Sequence, residues 1–227
     1  MFTRTHKNIF SDRSSLVLRA MLQNPEKTWS VRDFLKIGVS IGLANQTLNR
    51  MEHRGYILRK RCGRNSSSKL VQKEMLLNDW VEAYSLDMNH GELLHYPGKD
   101  FLPRFASFMK EEKIRYVLTG FSASRLISPY VLDERHFAYL DIPFEKFQEL
   151  IELLQNRLGL LKLAQGGNVW IALPYYQSSI FRDAQTLGRY PAASNLQIFL
   201  DLMELPAGVE EIKHLQQFLK KRGKTFV

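Results

Sequence analysis

SIGLANQTLNRMEHRGYILRKRCGRNSSSKLV, residues 40–71, carries in one run the features that decide the N-terminal fold. Ala44, Leu48 and Met51 recur at helical spacing, which predicts a helix over roughly residues 43–54 with one apolar stripe turned inward. Gly55 follows, the residue best suited to the left-handed backbone that closes a helix. Two β-prone segments, residues 56–59 and 69–71, flank KRCGRNSSS, which is polar and basic and reads as a hairpin loop.

Upstream, residues 14–22 place Leu16, Val17, Ala20 and Met21 on one helical face, with Ser11 or Asp12 as cap and Asn24-Pro25 as stop. After a short extended segment at residues 27–30, residues 31–37 predict a second helix capped by Ser30. Val31, Phe34 and Leu35 share a face there, and Gly38 ends the helix. Downstream, residues 73–84 predict a helix anchored by Met75, Leu76, Trp80, Val81 and Tyr84, with Trp80 read as a core residue. Helix, short strand, helix, turn, helix and basic hairpin is the order of a winged helix-turn-helix, which residues 11–85 resemble, most specifically through LNRMEHRGYI.

The resemblance implies that the second helix of the pair enters the major groove. The residues left facing outward are Asn45, Gln46, Asn49 and Arg50. Amides can pair bidentately with adenine and guanidinium with guanine, so these four are the candidate base readers, the alternative being an ordinary solvated helix face. Arg59, Lys60, Arg61 and Arg64 in the hairpin are the candidate phosphate contacts; their alternative is solvated surface.

Charge points the same way. Residues 1–73 hold fifteen Lys or Arg against four Asp or Glu, while residues 74–227 hold seventeen against nineteen. The net charge of +9 therefore belongs to the first third, as a polyanion-binding unit requires. No apolar run approaches the roughly 20 residues that cross a bilayer, and no secretory apolar region opens the chain, so cytoplasmic residence is expected and no membrane partner. With Cys62 as the single cysteine and no paired histidine spacing, neither a disulfide, a metal nor another cofactor is expected.

The Gly- and Pro-bearing stretch HGELLHYPGKD suggests a boundary, giving a DNA-binding domain over residues 1–85, a linker over 86–98 and a second domain over 99–227. There, helices are expected at residues 100–113, 122–127, 144–157, 194–205 and 209–221. Strands are expected at 115–119, 136–142, 160–164 and 169–173, with Gly166-Gly167 as a hairpin turn. The fold class is α+β: a winged helix-turn-helix followed by a mixed α/β domain.

YVLTGFSASRLISPYV, HFAYLDIPFEKFQELIELL and YPAASNLQIFLDLMEL resemble the C-terminal domain of AbiEi-like antitoxins, the transcriptional regulators of type IV toxin-antitoxin systems. After Asp201-Leu202 the chain departs from that pattern, with MELPAG in place of Gly-Arg-Gly. The resemblance implies a degenerate nucleotidyltransferase-like fold, an autoregulating operator-binding protein and a nucleotidyltransferase-like toxin, or that toxin's target, as partner; operators of winged-helix modules are commonly two-fold, so a homodimer is expected.

An active nucleotidyltransferase needs a Gly-Ser turn and two carboxylates on one strand face. Gly120 and Ser122 could imitate the turn, but the candidate strand offers Asp141 alone. Asp133 and Glu134 are adjacent and point apart, and Asp201 falls in a predicted helix. No enzymatic activity is expected. A small-molecule-sensing transcription factor and an active nucleotidyltransferase remain the alternatives.

Overall fold

Phe34 and Gly38 show how the N-terminal unit is assembled. In the computed structural model, which describes residues 9–63, 66–128, 133–224 and 226–227, Val31–Ile37 is a 3-10 helix closed by Gly38 at φ 76°. The tighter winding stacks positions i and i+3, so Phe34 is buried while Leu35, expected on the same face, is 49% exposed. The Asp33 carboxylate accepts from the Ser30 N–H at 2.8 Å and its hydroxyl at 2.9 Å, tying down the helix start. Burial opposes ionisation of Asp33, but these hydrogen bonds and Lys27 outweigh it and hold the carboxyl below its usual range.

Around it stand α1 (Asp12–Gln23), α2 (Ile41–His53) and α3 (Lys73–Ala83), with the hairpin β1 (Ile57–Lys60) and β2 (Ser67–Leu70). The α2 helix buries Ala44, Thr47, Leu48 and Met51, starts on the Ser40 hydroxyl, and is followed by Gly55 at φ 80°. Arg59 lies opposite Ser68 in the antiparallel hairpin, and Trp29 exchanges two 2.8 Å backbone hydrogen bonds with Ser68, adding the expected short extended segment to the wing. Trp80 is fully buried, 5.5 Å from Phe10 between ring centroids and 5.2 Å from the Arg19 guanidinium. Met75, expected as an anchor, is exposed; Leu77 is buried instead, because α3 turns Leu76, Leu77 and Trp80 inward.

Compact packing divides the chain after Tyr84. The C-terminal unit is a six-stranded mixed sheet in the order β3 (His90–Leu94), β6 (Val169–Leu173), β5 (His136–Asp141), β4 (Arg115–Leu118), β8 (Tyr190–Ala192), β7 (Gln185–Leu187). The β5–β6 and β4–β8 pairs are parallel and the rest antiparallel. Four successive buried residues in β5, Phe137 to Leu140, show that both faces are covered. On one face Tyr116 meets Phe105 of α4 (Phe101–Glu111) edge-on at 5.1 Å. On the other, Phe137 and Tyr139 meet α5 (Gly120–Ile127) and α8 (Asn195–Met203). Helices α6 (Phe147–Leu158), α7 (Gln177–Ile180) and α9 (Gly208–Lys220) complete the unit.

Three expectations fail here. Residues 90–94, read as linker, form an edge strand, because the apolar Leu93-Leu94 pair and its neighbours find β6 as partner. Residues 160–164 do not form a strand; Leu161 makes only a lone bridge to His95, so Gly166-Gly167 belongs to the connection entering β6 rather than to a hairpin. Strands β7 and β8 and helix α7 were not foreseen, each being too short for periodicity to register.

Candidate nucleic-acid interface

The polar side of α2 is set by its apolar side. Burial of Ala44, Leu48 and Met51 leaves Asn45, Gln46 and Asn49 exposed and Arg50 half-buried. Asn45, Asn49 and Glu52 fall on one stripe of the helix, and β1 runs beside it with Arg59 directed to that stripe. Arg59 donates through Nη1 to Asn49 Oδ1 and through Nη2 to Asn45 Oδ1, the latter at 3.0 Å. Two residues on, Arg61 donates to both oxygens of Glu52, one of them at 3.1 Å. The alternation of an extended chain thus sends Arg59 and Arg61 to the helix and Lys60 elsewhere.

This changes how the predicted phosphate contacts are disposed. Lys60 is exposed. Arg61 is exposed too, but its charge is balanced by Glu52. Arg59 is half-buried; desolvation, opposed by Glu52, lowers its pKa, while leaving a guanidinium charged at neutral pH. Arg64 lies outside the described residues. The four base-reading candidates are brought together on one helix, and only Asn45 and Asn49 have their amide oxygens engaged by Arg59. Bidentate pairing with adenine would require each oxygen to accept a second hydrogen bond.

The residues that would matter to nucleotide transfer are each engaged otherwise. Asp141 is half-exposed at the end of β5 and lies 3.5 Å from Arg115. Ser122 is buried, its hydroxyl accepting from the Phe137 N–H at 2.8 Å, so it does not face solvent. Gly120, at φ 47°, opens α5; a Cβ there would lie 3.2 Å from Leu205 and Phe137, so the glycine serves close packing.

Sequence reading missed the polar centre of this unit. Asp201 is fully buried and accepts hydrogen bonds from the Thr119 hydroxyl, from Tyr139 at 3.0 Å and from Gln197 Nε2 at 2.8 Å. The signal was available: an aspartate inside LQIFLDLM, a helix apolar but for Gln197 one turn earlier, must find donors within the protein. Nearby, Arg125 donates to the Arg135 carbonyl at 3.0 Å and sits 3.2 Å from His136 Nδ1. Since guanidinium only donates, Nδ1 is the accepting nitrogen. Burial, with Arg125, pushes the His136 pKa down to about 4.

Among the described residues, no three His, Cys, Asp or Glu side chains converge as metal ligands, and no helix is long and apolar enough to cross a membrane. A family model described as transcriptional regulator, AbiEi antitoxin, type IV TA system matches residues 69–212, from β2 into α9 and more than half of the chain. No curated protein and no solved structure matches.

Proposed function

The chain belongs to the AbiEi antitoxin family, the transcriptional regulators of type IV toxin-antitoxin systems, and from that premise we propose that it is a sequence-specific double-stranded DNA-binding repressor of its own promoter. The observation that carries this reading is the exposed polar face of α2 beside a basic hairpin, in the third of the chain that holds the surplus positive charge. Helix α2 enters the major groove with Asn45, Gln46, Asn49 and Arg50 toward base edges, and Lys60, with Arg61 and Arg64, supplies positive charge for the phosphates. Two copies bind a two-fold operator as a homodimer, with half-sites about 34–36 Å apart.

The DNA-binding unit ends near Tyr84, and the unit beyond it acts in the cytoplasm against a nucleotidyltransferase-like toxin encoded nearby, or against that toxin's target. The full burial of Asp201 and Ser122, and the pairing of Asp141 with Arg115, support a regulator without catalysis of its own. Anisotropy titration against the chain's own upstream DNA and a scrambled duplex, at two salt concentrations, tests the reading. Tight, salt-sensitive preference for the upstream duplex is expected; equal affinity for both would reject a specific repressor.

A second reading, a regulator that senses a small molecule, draws on a groove of 520 Å³ lined by Ser107, Lys110, Tyr116, Arg189 and Tyr190. A reproducible ligand-dependent rise in Tm would favour it.

A further inference from the structure

We propose that Arg59 is a positioning residue for DNA reading, a clamp that sets which way the Asn45 and Asn49 amides face, and not a phosphate contact. The inference rests on the reading of α2 as the base-reading helix. Asn45 and Asn49 are one helical turn apart, with Cβ atoms about 6 Å from each other, and a single planar guanidinium from β1 reaches both. Its two terminal nitrogens each donate to one amide oxygen, a division that a lysine ammonium, a compact point charge, does not reproduce.

Orientation follows from donor chemistry alone. Arginine has no acceptor, so the atom each asparagine turns toward Arg59 must be Oδ1, and each Nδ2 must point elsewhere. An asparagine on a free helix face presents either end of its amide; these two present one. The base-facing edge is therefore richer in donors than in acceptors. It favours bases with major-groove acceptors, guanine with N7 and O6 or thymine with O4, over cytosine, which offers the N4 donor. The clamp is itself held in place: Arg59 pairs with Ser68 across the hairpin, and Ser68 is bonded on its other side to Trp29. Phosphate neutralisation in this strand falls to Lys60, which alternates to the other side.

The experiment uses the full chain. A preferred site is selected from a randomised duplex pool, and its binding is compared with a scrambled duplex across salt concentrations for wild type, Arg59→Ala, Arg59→Lys and Lys60→Ala. In parallel, the side-chain amide NMR signals of Asn45 and Asn49 are followed in the DNA-free proteins, with circular dichroism to confirm folding. The clamp predicts that both Arg59 variants lose at least about tenfold in affinity for the selected site. Their scrambled-duplex affinity and salt slope stay near wild type, and they admit cytosine in the next round of selection. Lys60→Ala should lower both affinities together and reduce the slope by about 1. Combined with Asn45→Ala and Asn49→Ala, Arg59→Ala should add no further loss of discrimination.

Parallel loss on both duplexes with a reduced slope in Arg59→Ala would make Arg59 a phosphate contact and overturn the clamp, as would full function in Arg59→Lys. Amide signals that are already averaged in wild type would overturn it without reference to DNA. If the amides are fixed by Arg59 but the wild-type protein prefers no duplex, the DNA reading of α2 fails, and the clamp loses its role with it.

Discussion

Two side chains, Arg59 and Asp201, each gather partners from distant parts of the chain, one at the surface of the N-terminal unit and one in the core of the other. Half-buried Arg59 reaches from β1 to two asparagines of α2 that are exposed to water. Asp201 collects Thr119 from the end of β4, Tyr139 from β5 and Gln197 from its own helix, where water does not enter. Burial decides what such a hub is worth. In the core the donors cannot turn to water, so the hub holds α8 on the sheet. At the surface each partner can turn to solvent, so the hub contributes little stability and instead sets orientation.

The largest effect is expected at the core hub. Asp201→Ala should destabilise the C-terminal unit by about 3–5 kcal/mol, since it removes the acceptor that two hydroxyls and an amide share in the core; urea denaturation measures the loss. A drop under about 1 kcal/mol would mean that the buried hub is no more structural than the exposed one.

Acid probes the same unit at His136. Its folded pKa, about 4, lies below the usual 6.5 because burial and Arg125 disfavour the imidazolium. Between those values the unfolded chain binds the extra proton, so stability is full above pH 6.5 and is lost as pH falls toward 4. The loss amounts to roughly 3 kcal/mol, and His136→Gln should flatten that part of a stability-against-pH profile. Asp33 and Asp133, both held below the usual carboxylate value of 3.8, add a further loss below that pH.

On the surface side, Arg50→Ala should weaken binding to the specific operator by about 1–3 kcal/mol and relax preference at one base position, read by competition anisotropy. Asp33→Ala removes the reciprocal cap on the 3-10 helix that precedes α2 and should cost about 1 kcal/mol in thermal melts of the protein. The smallest effect on stability is expected from Arg61→Ala, under about 1 kcal/mol, because its pair with Glu52 is exposed. A larger loss would show that the wing depends on that pair to stay against α2.

Much of the N-terminal unit was legible because each of its helices declares its own limits. Ala44, Leu48 and Met51 mark the buried stripe of α2, and Gly38 and Gly55 take the positive φ that ends a helix. Leu35 was misplaced because an α-helical period was applied to a segment wound as a 3-10 helix. In the C-terminal unit the long helices could be read, but the edge strand at His90–Leu94 could not: its partner β6 lies some eighty residues later, and Gly91 with the following Pro97-Gly98 imitates a linker. The base-reading candidates followed from the face of α2, whereas the engagement of Arg59 did not, since spacing along β1 does not say which neighbour a long side chain will reach.

Local periodicity, capping residues and the distribution of charge depend on neighbours a few positions apart, and these fix the helix-turn-helix order, its basic hairpin and the polar face of α2 without reference to the rest of the fold. What depends on long-range contact was decided by tertiary structure alone. The mixed strand order, the burial of Asp201 against Thr119 and Tyr139, and the grip of Arg59 on Asn45 and Asn49 each join residues whose separation in the chain carries no pattern. Hydrogen bonding is directional and short-ranged, so only the folded backbone, by bringing those atoms within reach, selects which donors and acceptors meet.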